Sequence, residues 1–198
     1  MRILIVNYHY VRESKTGKGI FPISTSEFIS QLDLLKKKYK FISQAQLLSF
    51  LSNSNKLLPE RDFCLLTFDD GLKEQLKAFE ILKQKKIPGI FFISTMPLIE
   101  SKACRVHKFH YVMEQMSLDC LYEHVLQIFP ESIYKLNDLE FQKAAPQKYI
   151  YDKPDWAKLK LYVNFSLSRD DKNLLVDKLF DLLEIDETSF VENLYMNN

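Results

Sequence analysis

Apolar and polar residues follow two different rhythms along the first half of this chain. Short, mostly apolar runs, Met1–Val6, Phe63–Phe68 and Ile90–Ile93, have strand length, and between them apolar residues recur at helical spacing. Up to about Thr95 the predicted order is strand, helix, possible short strand, helix, strand, helix, strand. The first helix opens at a capping box, Ser24 with Glu27, and turns Phe28, Leu32, Leu35 and Tyr39 inward. A second box, Ser43 with Gln46, precedes Leu47, Leu48 and Leu51. The run Phe63–Phe68 ends in Asp69-Asp70-Gly71, after which Leu72, Leu76, Phe79 and Leu82 take up helical spacing at once. That helix stops near Lys86, because the residue before Pro88 avoids helical geometry.

From about Pro97 the pattern turns nearly all helical. Ser117, Asn137 with Glu140, and Ser168 mark helix starts, and Pro130, Pro146 and Pro154 punctuate the region. Leu174, Leu175, Leu179 and Leu182 mark the face of a further helix. Repeats, low-complexity tracts and Gly/Ser linkers are missing, and the whole chain has 4 glycines. The second region therefore reads as an insertion packed on the sheet, not as an independent domain.

Composition narrows the possible functions. A chain of 198 residues, 46% of them hydrophobic, can bury one substantial core. The net charge of +1 leaves no electrostatic footprint for nucleic acid or an anionic membrane. Lysines at 36–38 and 83–86 suit helix C-termini, where cations complement the dipole. The 3 cysteines, Cys64, Cys104 and Cys120, show no Cys-x-x-Cys spacing and fit a reducing compartment. The apolar start is too short for a secretory segment before Asn7 and His9, and no stretch approaches the roughly 20 apolar residues that span a bilayer. The expected location is cytoplasmic.

The candidate chemistry centres on Asp69 and Asp70. A buried strand that delivers two adjacent acids to its C-terminal end places them where the active sites of barrels and open α/β sheets collect. Two carboxylates so close call for a cation, a shared proton or an arginine nearby. The alternative from spacing alone is that Asp69 caps the helix and Asp70 sits in its first turn, favoured by the dipole.

Thr67-Phe68-Asp69-Asp70-Gly71 resembles the first signature of the polysaccharide deacetylases (NodB-homology enzymes, carbohydrate esterase family 4). Asn7-Tyr8-His9-Tyr10-Val11 is similar to the first strand of many members, residues 21–51 to the segment after it, and Ile87-Pro88-Gly89-Ile90-Phe91-Phe92-Ile93 to the strand after the signature. The likeness covers roughly residues 1–96; residues 97–198 resemble a helical insertion of one branch. The resemblance implies an α/β fold, a partial (β/α) barrel with a mostly helical insertion, as a single domain over 1–198. It implies a hydrolase that removes N-acetyl groups from a carbohydrate with a divalent metal, zinc first and cobalt or nickel next. Asp69 takes the place of the general base and Asp70 that of a metal ligand. His9, ending the first strand, would face the same rim in a supporting role, or serve as a hydrogen-bonded structural histidine.

The family's His-x-x-x-His motif has no match among the 4 histidines. Glu192-Asn193-Leu194-Tyr195-Met196-Asn197-Asn198 resembles the stretch that usually precedes it, so a truncated product or one piece of a split gene is expected. A homo-oligomer or a separate C-terminal chain would then complete the barrel. A local substitute is conceivable: taking about 100° per residue, His107, His110 and Glu114 fall within an arc of roughly 60° beside the stripe of Val106, Phe109, Met113 and Met116. Imidazoles at i and i+3 can share a metal, with polar residues at a helix–core boundary as the alternative. His124 reads as a helix-surface residue. Two further functions compete with the deacetylase: an inactive remnant or carbohydrate-binding module of the same fold, and a phosphoester or other metal hydrolase using Asp69, Asp70, His107 and His110. No phosphate-cradling Gly-rich loop and no glycine-flanked nucleophile supports other chemistries.

Overall fold

The computed structural model describes residues 2–13, 20–52 and 62–196. They divide into two compact units, one holding residues 2–13, 22–52, 62–102 and 190–196 and the other 20–21 and 103–189.

The first unit follows the order legible in the sequence: β1 (Ile3–Tyr8), α1 (Thr25–Lys38), β2 (Lys40–Phe41), α2 (Gln44–Ser52), β3 (Phe63–Phe68), α3 (Gln75–Lys85), β4 (Ile90–Phe91) and α4 (Thr95–Glu100). Among the described residues all strand pairings are parallel. β3 is central, paired with β1 from Ile3↔Phe63 to Tyr8↔Phe68; β2 joins its other edge at Phe63 and Cys64, and β4 joins at Thr67 and Phe68. This is the expected α/β class, and an open parallel sheet of this size fits a partial barrel. Every residue of β3 is buried, as a strand covered on both faces requires. Cys64, Leu66 and Phe68 share one core with Phe28 and Leu32 of α1 and Ala78 and Leu82 of α3. Phe63 and Leu65 point the other way, into a smaller core with Ile42, Leu47 and Phe50. Aromatic rings knit the first core: Phe68 stacks on Phe91 at 4.4 Å, and Tyr8 meets Phe28 edge-on at 5.0 Å. Burial pushes the Tyr8 phenol up to about 12, and its hydroxyl donates to Gln31 Oε1 at 2.9 Å.

Both capping boxes form. Ser24 Oγ accepts from Glu27 N while Glu27 Oε2 accepts from Ser24 N, and Ser43 and Gln46 repeat the exchange. Lys86 ends α3 with a left-handed φ of 54°. The inward face of α3 differs from the expected one. Leu72 lies before the helix, in a bridge to Tyr195, and the buried helical residues are Gln75, Ala78 and Leu82. Leu76 and Phe79 are rotated to the surface, because the helix takes its phase from the turn that anchors Leu72.

The second unit is helical: α5 (Arg105–Gln115), α6 (Leu118–Ile128), α7 (Ser132–Leu136), α8 (Leu139–Lys148), α9 (Pro154–Leu161), a π-helical turn (Tyr162–Ser166) and α10 (Arg169–Asp181); the division between units falls within α11 (Glu187–Leu194). Ser117 and Ser168 cap their helices as expected. The cap of α8 is Asp138, whose carboxylate accepts from Phe141 N at 2.7 Å, not Asn137. Pro146 stands inside α8 instead of ending it. The buried face of α10 is Leu175, Val176, Leu179 and Phe180, with Leu174 and Leu182 exposed. Cys64, Cys104 and Cys120 are not joined in disulfides. Among the described residues no helix is long and apolar enough to cross a membrane.

Candidate functional site

The register of β1 on β3 decides what meets at the C-terminal rim. Asn7 pairs with Thr67, and one step on Asp69 N donates to Tyr8 O at 3.1 Å, which sets Asp69 beside the end of β1. Side chains alternate across a strand, so Asp69 continues the face of Phe63, Leu65 and Thr67. The backbone then bends sharply: Asp70 has φ 80° and Gly71 φ 68°. Two consecutive left-handed residues reverse the chain at once, and aspartate is among the few side chains that tolerate this region. Gly71 is required twice over, since a Cβ there would lie 3.0 Å from Ile93 Cγ2. The end of the chain fastens the same turn: Lys73 N donates to Leu194 O at 2.8 Å and Met196 N to Gly71 O at 2.9 Å.

Polar side chains form one connected chain across the rim. Thr67 Oγ1 donates to Asn7 Oδ1 at 2.8 Å, Asn7 Nδ2 donates to Asp69 Oδ2 at 2.8 Å, and the same nitrogen lies 3.2 Å from His9 Nε2. His9 Nδ1 lies 3.0 Å from Asp70 Oδ2. Asn7 can only donate from its nitrogen, so the network assigns neutral His9 its proton at Nδ1, aimed at Asp70. The bond to Asp70 raises the His9 pKa above its ordinary 6.5, burial opposes this, and the charges of Asp70 and Asp69 add to the rise. The Asn7 donor against Nε2 works against a second proton. Asp69 Oδ1 takes no hydrogen bond among the described residues, which leaves one oxygen of that carboxylate for a water. The His9 and Asp70 side chains are 48% and 25% exposed, so solvent reaches both.

Sequence reasoning missed three residues here. Asn7 bridges Asp69 and His9. Gln75, fully buried, donates from Nε2 to His9 O at 2.8 Å and to Asp69 O at 2.6 Å, tying the ends of β1 and β3 together. Glu74 accepts from Val11 N at 2.9 Å and from Arg12 Nε at 2.8 Å, holding the segment after β1. The only available signal was a pair of polar residues at the start of an apolar helix, which local pattern treats as a solvated first turn.

A catalytic zinc takes three protein ligands and one open position. Asp70 and His9 fit as two donors, a carboxylate beside an imidazole, but among the described residues no group of three His, Cys, Asp or Glu is placed to hold a metal. The alternative on α5 does not assemble such a group either. His107 turns into the core at 2% exposure, its ring centroid 6.3 Å from that of His110, which lines a cavity of the second unit. The apolar stripe of α5 runs through Phe109, Val112 and Met113, so His107 falls within it and Val106 outside it. His124 is half-buried, at the edge of a shallow depression in the second unit.

No family model matches the chain, and no curated protein sequence matches it. Solved structures that the chain resembles include deacetylases. A de-N-acetylase from Aggregatibacter actinomycetemcomitans is 31% identical over 46% of this chain and 37% of its own length, with a TM-score of 0.38. IcaB from Ammonifex degensii is 30% identical over 50% of this chain and 40% of its own, with a TM-score of 0.43. The Streptococcus pyogenes deacetylase PplD, solved in complex with acetate, is 18% identical over 90% of this chain and 80% of its own, with a TM-score of 0.45. The chain spans about two-fifths of the length of the first two.

Proposed function

We propose that this chain carries the base side of a hydrolytic site that removes N-acetyl groups from a carbohydrate. One observation carries the reading: the Asp69-Asp70-Gly71 turn sets both carboxylates at the C-terminal rim of a parallel sheet, against Asn7 and His9 from the neighbouring strand. The de-N-acetylation named for the Aggregatibacter structure comes to this chain on that basis, as a proposal.

Amide hydrolysis needs a water stripped of a proton and a stabilised tetrahedral oxyanion. Asp69 is the general base. Asn7 fixes its Oδ2, and Oδ1 accepts the proton as the water oxygen bonds to the acetyl carbon. The C–N bond then breaks, the proton passes to the departing amine nitrogen, and acetate is released. Asp70 is the proposed ligand of a divalent metal, zinc before cobalt or nickel, and His9 orients Asp70 or joins it. When bound, the ion supplies charge that polarises the carbonyl and acidifies the water. The remaining donors would come from outside the described residues.

Acetate release from N-acetylhexosamine oligomers, measured with metal-replete protein, tests the reading. Asp69→Asn is expected to lower the rate by at least about a hundredfold, the usual weight of a general base, with the fold unchanged by circular dichroism. Metal analysis of protein purified without chelator should show the ion lost in Asp70→Ala and kept in His107→Ala. A wild-type rate equal to that of Asp69→Asn would remove the hydrolase. A second reading, a carbohydrate-binding remnant, draws on the shortage of metal donors among the described residues. Saturable oligomer binding with no acetate release would select it.

A further inference from the structure

The second unit holds a cavity of about 130 Å³, enclosed by α5, the end of α8, α9, the π-helical turn and α10. Arg105 and His110 reach it from α5, Tyr149 from the end of α8, Lys160 and Asn164 from α9 and the turn, and Lys172 from α10. The rest of its wall is apolar, and no carboxylate among the described residues lines it.

The charges around it do not cancel. Lys160 is already matched: its Nζ lies 2.7 Å from Asp152 Oδ2, with both side chains less than a tenth exposed, and it sits over the rings of Tyr149 and Phe21. Arg105 and Lys172 instead bond to neutral acceptors. Arg105 Nη1 donates to Asn173 Oδ1 at 2.7 Å, and Lys172 Nζ donates to the main-chain oxygen of Asn164. Among the described residues neither lies within ion-pair distance of a carboxylate. Guanidinium carries five N–H donors and ammonium three, so both keep donors in reserve. Asn164 Nδ2 donates to the Tyr149 oxygen at 2.9 Å, which leaves the phenol proton to be given elsewhere. Burial raises the Tyr149 pKa, so that proton stays on. The π-helical turn is a second, independent sign, because such turns interrupt the regular ladder and recur at functional sites. Here it presents Asn164 to both Tyr149 and Lys172.

We propose that this cavity is a binding site for a small tetrahedral oxyanion, a phosphate group either free or carried on a small sugar ester. Two uncompensated cations suit a dianion, and donors arriving from three separate helical elements surround a tetrahedron better than a planar carboxylate. The volume admits the phosphate group and leaves any sugar at the mouth.

Titration calorimetry and thermal unfolding of the full chain test this, with ionic strength held constant by sodium chloride. Inorganic phosphate, a hexose 6-phosphate and acetate are compared. Phosphate is expected to bind and raise the melting temperature, and acetate is not. Arg105→Gln and Lys172→Met should each weaken phosphate binding by about tenfold or more, the loss of one charge-assisted contact. Arg105 is exposed, so its substitution leaves the fold intact, as circular dichroism will show. Equal affinity for the two phosphates identifies the free ion as ligand, and tighter binding of the ester identifies the sugar phosphate. Phosphate no better than chloride, acetate as good as phosphate, or binding unchanged in both variants overturns the proposal.

Discussion

Gln75 shows how much of the rim depends on one buried amide. Its nitrogen holds the carbonyls of His9 and Asp69 together, while its own carbonyl oxygen is buried with no hydrogen-bond partner among the described residues. A buried amide held at such a cost is kept for its position. Gln75→Met keeps the length and removes the donor, leaving two carbonyls unsatisfied. The expected loss is about 2 kcal/mol of stability in urea unfolding, near the cost of unpaired buried polar groups. His9 provides a test by pH. Its pKa is raised in the folded chain by Asp70, so its contribution is fully present below its unfolded value and fades as pH rises through the raised one. The stability difference between wild type and His9→Gln should therefore be largest below the ordinary histidine pKa and shrink as pH rises through the raised one. Because the ring is half-exposed, added salt should reduce the difference further.

At the scale of elements, local pattern was most readable where local chemistry closes the structure. The Ser24–Glu27 box involves residues three apart and needs nothing else, so it could be seen in the sequence and is present in the fold. Ser24→Ala should cost about 1 kcal/mol, the usual worth of an N-cap, as a lowered midpoint in thermal or urea unfolding. The same reasoning failed by one residue at α8, where Asn137 and Asp138 are both good caps and the backbone chose the second. It failed by a rotation at α3. There the apolar positions Leu76 and Phe79 mark a regular face, yet the helix is phased by the Asp70–Gly71 reversal and buries Gln75 instead. Periodicity reports which side is apolar, and where the preceding turn is strained it does not report which side faces the core.

At the scale of the molecule, the site joins segments far apart in sequence. Asn7 and His9 meet Asp69 and Asp70 across some sixty residues, and the segment around Tyr195 clasps the turn at Leu72. Tyr195 is buried, so Tyr195→Ala should cost about 3 kcal/mol or more in urea unfolding, in the range of aromatic truncations. It should also loosen the carboxylates, lowering acetate release beyond what lost stability explains. The sequence alone determined the parallel βα order, both capping boxes on the sheet side, and the delivery of two acids by a buried strand, because these follow from spacing and neighbours within one element. The tertiary structure alone decided that Asn7 and Gln75 belong to the rim, that the chain's end secures the acidic turn, and that His107 is a core residue. Those contacts arise from strand register, a left-handed turn and side-chain burial, which depend on segments that meet only once the chain has folded.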